Sequence, residues 1–290
     1  MAPGPRRGLL RTGPAIGGLR VNGATLHYEV RGRGPLLLLI PGGTGGAASF
    51  DGIADGLAAA YTVATYDPRG MSRSTPEDPG AEQRVAEHAD DAFRILRLLS
   101  PDRPARVFGV SSGAIAALHL LTTRPHHLER VVAHEPPVVE VLPDAAEHRA
   151  FVARVQATLH AQGLLPAMAV FAAGLRKDGG TAEPEAGVGL PPRAAARAER
   201  TMADLPYFAG RIVPGFMSYT PDVHRLEALS DRLVLACGRD SRDELPYRAT
   251  AFLAERLGTE PQHFPGGHTG LTTHPAEFGE VLREAFRAET

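Results

Sequence analysis

The run LLLLI at positions 36–40, closed by PGG, carries no polar residue at either parity of a strand's two-residue period. Successive strand side chains point to opposite faces, so a run without alternation has to be covered on both of them, as strands of parallel sheets are. The run is far short of the roughly 20 apolar residues a membrane helix needs. Beyond it the chain keeps a regular rhythm: a helix over 49–60, a strand YTVATYD, an amphipathic helix over 85–99 with Ala86, Ala89, Phe93, Ile95 and Leu98 as its apolar positions, a strand ARVFGV, a helix over 112–121 and a strand LERVVAHE. Strands alternating with helices imply right-handed crossovers and an α/β fold built on a mainly parallel twisted sheet flanked by helices.

Upstream, Asn22-Gly23 between two alternating runs is a strong hairpin signal. Residues 1–17 lack the apolar centre of a secretory signal and read as a flexible tail. Downstream, the rhythm breaks between about 137 and 229. That stretch offers helices over 145–164 and 194–204, separated by TAEPEAGVGLPP, and no clear strand. The alternation then resumes with RLVLACG, a helix over 247–257, EPQHFPG and a helix over 275–288. Too few strands lie on either side for two domains, so the break reads as a helical lid inserted into one sheet.

Charge narrows the partners. The chain has 31 Lys and Arg against 33 Asp and Glu, a formal net charge of −2, and its arginines are scattered among acids, which excludes the basic footprint of a nucleic-acid binder. The single cysteine, Cys237, sits inside LVLAC and is expected to be a buried structural thiol, consistent with a reducing cytoplasm. No membrane segment, metal-ligand cluster or dinucleotide fingerprint is found, so neither a metal nor a cofactor is expected. Oligomeric state, including a homodimer, stays open.

The chemistry is carried by Gly109-Val110-Ser111-Ser112-Gly113, a G-x-S-x-G pattern placed directly between a strand and a helix. In that position the turn is sharp enough to push Ser111 Oγ out at the sheet edge, while the helix start offers backbone N–H groups to an oxyanion. The PGGTGG loop after the first parallel strand supplies a second such donor, for which Gly43 is the candidate beside the N–H of Ser112. Among the twelve histidines, His268 follows the last strand on a glycine-rich loop at the same edge and is the candidate base. His274 reads as a cap or surface residue at the start of the final helix, and His126 and His127 as exposed loop residues. The orienting acid has three candidates: Glu135, which ends the strand beside the elbow and precedes two prolines, and Asp240 or Asp243 after RLVLACG.

Together GVSSG, the PGG loop, YDPRGMSRS and PGGH resemble the α/β-hydrolase superfamily over nearly all of residues 18–290. In most members the acid lies three residues beyond a glycine after the post-lid strand, a position that Ser241 occupies here. VSSGA, AHEPP, DPRGMSRS and PGGH together are similar to the zearalenone lactonase group, whose acid is a glutamate in the HE-x-P setting. The resemblance therefore implies Ser111, Glu135 and His268 as the triad. Those lactonases use a lid tryptophan, and this chain has none.

The expectation is a single catalytic domain over 18–290 with the lid at about 137–229, hydrolysing an ester or lactone in a small, largely apolar molecule. Phe151, Phe171, Tyr207, Phe208, Phe216, Met217 and Tyr219 are enough for an apolar pocket, but each taken singly reads as lid packing rather than substrate contact. Carbon–carbon bond hydrolysis with the same triad, and a non-hydrolytic metabolite binder or cyclase, are the alternatives.

Overall fold

The computed structural model describes residues 13–176 and 192–287. Nine strands form one sheet: β1 (Ala15–Val21), β2 (Ala24–Arg31), β3 (Leu36–Ile40), β4 (Thr62–Tyr66), β5 (Thr75–Pro76), β6 (Ala105–Val110), β7 (Leu128–His134), β8 (Leu233–Gly238) and β9 (Gln262–Phe264). Their order is β1-β2-β4-β3-β6-β7-β8-β9, with the short β5 paired to β2. From β4 to β9 every pairing is parallel, and the antiparallel β1–β2 hairpin, turning at Asn22-Gly23, closes the other edge.

The unbroken run is explained by its position next to the middle of this sheet. Leu36, Leu38 and Ile40 enter one core, while Leu37 and Leu39 enter the other. The first core lies under α2 (Val85–Leu99), α3 (Ser112–Thr123) and α9 (Leu245–Arg256). The second lies under α1 (Asp51–Leu57) and α11 (Pro275–Ala285), where Phe50, Phe108, Phe264 and Phe278 pack edge to face or tilted. A four-residue helix α10 (Gly270–Thr273) leads into α11, and Cys237 is buried as expected.

Between β7 and β8 the described residues form helices: α4 (Ala145–Gln162), α5 (Leu164–Leu175), α6 (Pro192–Tyr207), a π-helical stretch at Phe208–Ile212, α7 (Val213–Met217) and α8 (Val223–Glu227). Pro206 and Pro214 flank the π-helical stretch, each withdrawing an N–H from the helical ladder. No described helix is long and apolar enough to cross a membrane.

Several expectations need correction. β1 begins at Ala15, inside the stretch read as a tail, and residues 1–12 lie outside the described residues. Gly17 and Gly18 hid this strand; Gly17 pairs with Tyr28, whose ring lies where a Cβ at 17 would stand. The helix expected over 49–60 is a short 3-10 turn leading into α1. In α2 the buried face is Val85, His88, Ala89, Asp91, Ala92, Ile95 and Leu96, whereas Leu98 is exposed. Two polar residues hold that face. Asp91 pairs with Arg69 at 2.7 Å, and His88 bonds Gln83 and meets Phe216 edge-on. α5 is unforeseen, because its apolar residues surround the helix without a periodic stripe. TAEPEAGVGLPP lies outside the described residues except for its last position, which opens α6. The last helix ends at Ala285 rather than 288. His126 is exposed, but His127 packs against Phe93.

Candidate active site

The elbow between β6 and α3 is shaped by two close backbone approaches. A Cβ at Gly109 would stand 2.5 Å from the carbonyl oxygen of Gly113, and one at Gly113 only 2.4 Å from the carbonyls of Ile40 and Pro41. With both glycines in place the turn closes tightly enough to force Ser111 to φ 54° and ψ −122°, a conformation L residues rarely adopt. Such strain costs on the order of 1–3 kcal/mol and has to be held by its surroundings. Here the Ser111 N–H donates to the His134 carbonyl at 2.9 Å, tying the elbow to the end of β7.

Ser111 Oγ lies 3.2 Å from His268 Nε2, and His268 Nδ1 lies 2.6 Å from Glu135 Oε2. The three residues come from the ends of β6 and β7 and the loop after β9, all at the C-terminal edge of the parallel sheet, the edge at which such sheets bind ligands. Glu135 is itself at φ 48°, with its N–H bonded to the Ala236 carbonyl at 2.9 Å. Its carboxylate is fully buried. Burial alone would raise its pKa, but the hydrogen bonds from His268 and from the Ser241 hydroxyl outweigh that and hold it below the ordinary carboxylate range.

The second carboxylate oxygen, Oε1, accepts the Gly238 N–H at 2.8 Å and the Ser241 hydroxyl. Ser241 is thus a site residue that sequence reasoning set aside as unable to supply a carboxylate. Its location three residues beyond Gly238 was the available signal, but its contact with Glu135 spans 106 residues. Asp240 and Asp243 are exposed, and the bond at His268 Nδ1 is taken by Glu135. His274 is exposed at the N-cap position of α11, as expected, with its side chain bonded to Thr273.

Of the two oxyanion candidates, Gly43 has φ 57° and directs its N–H to Ser112 Oγ at 3.0 Å. Ser112 opens α3, so its own N–H belongs to the first turn of a helix, where backbone donors lack intrahelical partners. Both residues therefore stand beside Ser111, with the Ser112 hydroxyl resting on the Gly43 N–H.

Ser111 and His268 open onto a cleft of about 370 Å³, bordered by the PGGTGG loop on one side and by α6 on the other. The lid aromatics are engaged in packing, the reading each of them carries singly. Phe151, Phe171 and Phe208 stack among themselves, Phe216 meets His88, Tyr219 bonds His119, and the Tyr207 ring covers Gly70. Met217 is buried in the core. What fixes α6 over the cleft is polar: Asp204 accepts from the Ser72 N–H at 2.9 and 3.0 Å and from its hydroxyl at 2.8 Å. Ser72 belongs to the DPRGMSRS loop, which Asp67 braces through Arg73 and the Ala47 N–H. No group of His, Cys, Asp and Glu among the described residues could hold a metal ion.

A family model described as "alpha/beta hydrolase fold" matches residues 35–159. An uncharacterized hydrolase of Bacillus subtilis, YraK, is 35% identical over 94% of this chain and 96% of its own length. A zearalenone hydrolase of Cladophialophora bantiana is 27% identical over 93% of this chain and 95% of its own. Among solved structures, a thermophilic esterase from Thermogutta terrifontis superposes with a TM-score of 0.69 at 18% identity, covering 91% of this chain and 93% of that one, a likeness of fold.

Proposed function

The chain belongs to the alpha/beta hydrolase fold family, resembling its zearalenone lactonase group, and from that premise we propose that it is a serine hydrolase cleaving an ester or lactone bond in a small molecule. The observation that carries the reading is the continuous hydrogen-bonded line from Ser111 Oγ through both nitrogens of His268 to the buried Glu135 carboxylate.

In this reading Ser111 Oγ attacks the substrate carbonyl while His268 Nε2 takes its proton. Glu135 keeps Nδ1 protonated, so that Nε2 is the accepting nitrogen, and stabilises the imidazolium as it forms. Negative charge gathers on the former carbonyl oxygen and is met by the N–H groups of Ser112 and Gly43. A rotation of the Ser112 hydroxyl about χ1 frees the Gly43 N–H for that oxygen. His268 then returns the proton to the departing alcohol and activates a water that releases the acyl group from Ser111. The helices between β7 and β8 act as the lid over this chemistry, with Asp204 latched to Ser72.

Labelling with a fluorophosphonate and subsequent peptide mapping is the direct test, and Ser111 is expected to carry the adduct. Ser111→Ala is expected to lower kcat on a short p-nitrophenyl ester by a factor on the order of 10⁶, as loss of a triad serine does. Full activity in that variant, or an adduct on another serine, overturns the assignment.

A further inference from the structure

Arg197 is half-buried on α6 and lines the same cleft as Ser111 and His268. Its direction is set by the helix period. Arg197, Thr201 and Asp204 fall at i, i+4 and i+7, on one face of α6, and Asp204 is bonded to Ser72. The latch that fixes α6 therefore also turns Arg197 and Thr201 towards the cleft, where both are found.

Among the described residues lining the cleft there is no carboxylate, and Arg197 is the only permanently charged side chain. No hydrogen bond or ion pair from the described residues engages its guanidinium. The other lining groups include hydroxyls, such as Thr44 and Thr269, rather than aromatic rings. Glu135, the carboxylate of the catalytic line, is fully buried, and its oxygens are taken by His268, Gly238 and Ser241. An arginine fork held half out of water beside a reacting centre, without a partner among the described residues, is matched by a planar anion arriving with the substrate.

Resting on the hydrolase reading above, we propose that the substrate carries a carboxylate in its acyl portion and that Arg197 binds it while the carbonyl lies at Ser111. This replaces the largely apolar substrate expected from the sequence, since no Phe or Tyr ring among the described residues lines the cleft beside Ser111. A carboxylate-bearing ester or lactone would place its anion against α6, with the Thr201 hydroxyl one turn along the helix as a further donor.

The test compares p-nitrophenyl monoesters of succinate, glutarate and adipate with p-nitrophenyl esters of the matching uncharged acids, in wild type and in Arg197→Gln and Arg197→Glu. Wild type is expected to favour at least one charged ester over its neutral counterpart by about tenfold to a hundredfold in kcat/KM, the range of a hydrogen bond to a charged group. Added salt should narrow that preference. Arg197→Gln should bring the ratio to within about twofold, and Arg197→Glu should reverse it. Fluorophosphonate labelling of Ser111 in each variant verifies that the site is assembled. Equal rates for every pair in wild type, or a preference that survives Arg197→Gln, overturns the proposal while leaving the hydrolase reading intact. If no ester is turned over and Ser111 does not label, the hydrolase reading falls, and calorimetric titration with glutarate decides the anion site separately. Binding lost in Arg197→Glu supports it, and absent or unchanged binding overturns it.

Discussion

The turns that end β6 and β7 lie side by side and solve the same steric problem in different ways. Each places a non-glycine residue at positive φ, Ser111 at 54° and Glu135 at 48°. The elbow manages this with glycines, because a Cβ at Gly109 would stand 2.5 Å from the Gly113 carbonyl oxygen at the start of α3. The second turn has no glycine and runs into two prolines; it is held by hydrogen bonds to β8, through the Glu135 N–H and its Oε1. One turn thus exposes the proposed nucleophile on a strained but sterically simple support. The other buries a charge, which is tolerable only while every lone pair direction is answered. A glycine pattern is local and visible in sequence, whereas a satisfied buried carboxylate depends on three distant segments.

The largest expected effect separates the two carboxylate locations. Glu135→Gln keeps the shape of the turn but gives up the charge opposite the His268 imidazolium. The loss in kcat on a p-nitrophenyl ester is expected to be about 10⁴-fold, as for the amide replacement of a triad acid. Asp240→Asn, at an exposed position, should stay within about twofold of wild type. The reverse pattern would move the acid to the loop after β8 and remove the contrast between the turns.

Ser241 sharpens the comparison at a lower magnitude. Its hydroxyl donates to the carboxylate that His268 also needs, and a hydrogen bond to a charged group is worth about 1.5–3 kcal/mol. Ser241→Ala is therefore expected to lower kcat by about tenfold to a hundredfold. Removing that donor also lets the pKa of Glu135 rise towards what burial imposes, so the acid limb of the kcat/KM profile should move to higher pH. A purely structural loss would lower the plateau without moving the limb. A carboxylate restored from the loop after β8 gives the complementary readout: Glu135→Ala/Ser241→Asp should recover more than about tenfold over Glu135→Ala alone, because residue 241 already reaches the same pocket.

These contrasts also mark what could be read from the chain. The parallel centre of the sheet was legible because LLLLI has to be covered twice, and the elbow because its glycines answer a local clash. Both faces of β3 and the close approach of Gly113 to Ile40 are set by the same few residues. The burial of α2 was misread because Asp91 and His88 point inwards, satisfied by Arg69 and Gln83. The start of β1 was hidden because Gly17 yields its space to Tyr28, a partner eleven residues away in sequence. At the site, the place of Ser241 three residues beyond Gly238 marked the position but not its grip on Glu135, and the orientation of Arg197 had no local signature. The second depends on an Asp204–Ser72 contact across 132 residues. Short-range steric demands were visible in the sequence; arrangements made by long-range polar contacts were not.

The smallest expected effect concerns the residue that joins the two turns. His134 ends β7, its carbonyl holds the Ser111 N–H, and the next residue is Glu135. Its ring is fully buried between Phe264 and Phe278, with neither nitrogen hydrogen-bonded. Burial chiefly pushes its pKa down from 6.5 to about 4, so the folded protein keeps it neutral where the unfolded chain would bind a proton. Its titration costs no stability above about pH 6.5, and the cost grows as pH falls towards 4, because the unfolded chain takes up the proton first. His134→Leu leaves the backbone bond to Ser111 in place and removes the unpaired polar ring. At neutral pH it is expected to raise stability by about 1–2 kcal/mol in urea unfolding, by relieving the buried unsatisfied group. It should also flatten the part of the acid slope between pH 6.5 and 4 that this ring causes. Turnover should change little, because the strand end and its carbonyl do the positioning. A large loss of kcat with unchanged stability would instead make the His134 ring itself part of the electrostatic setting of Glu135.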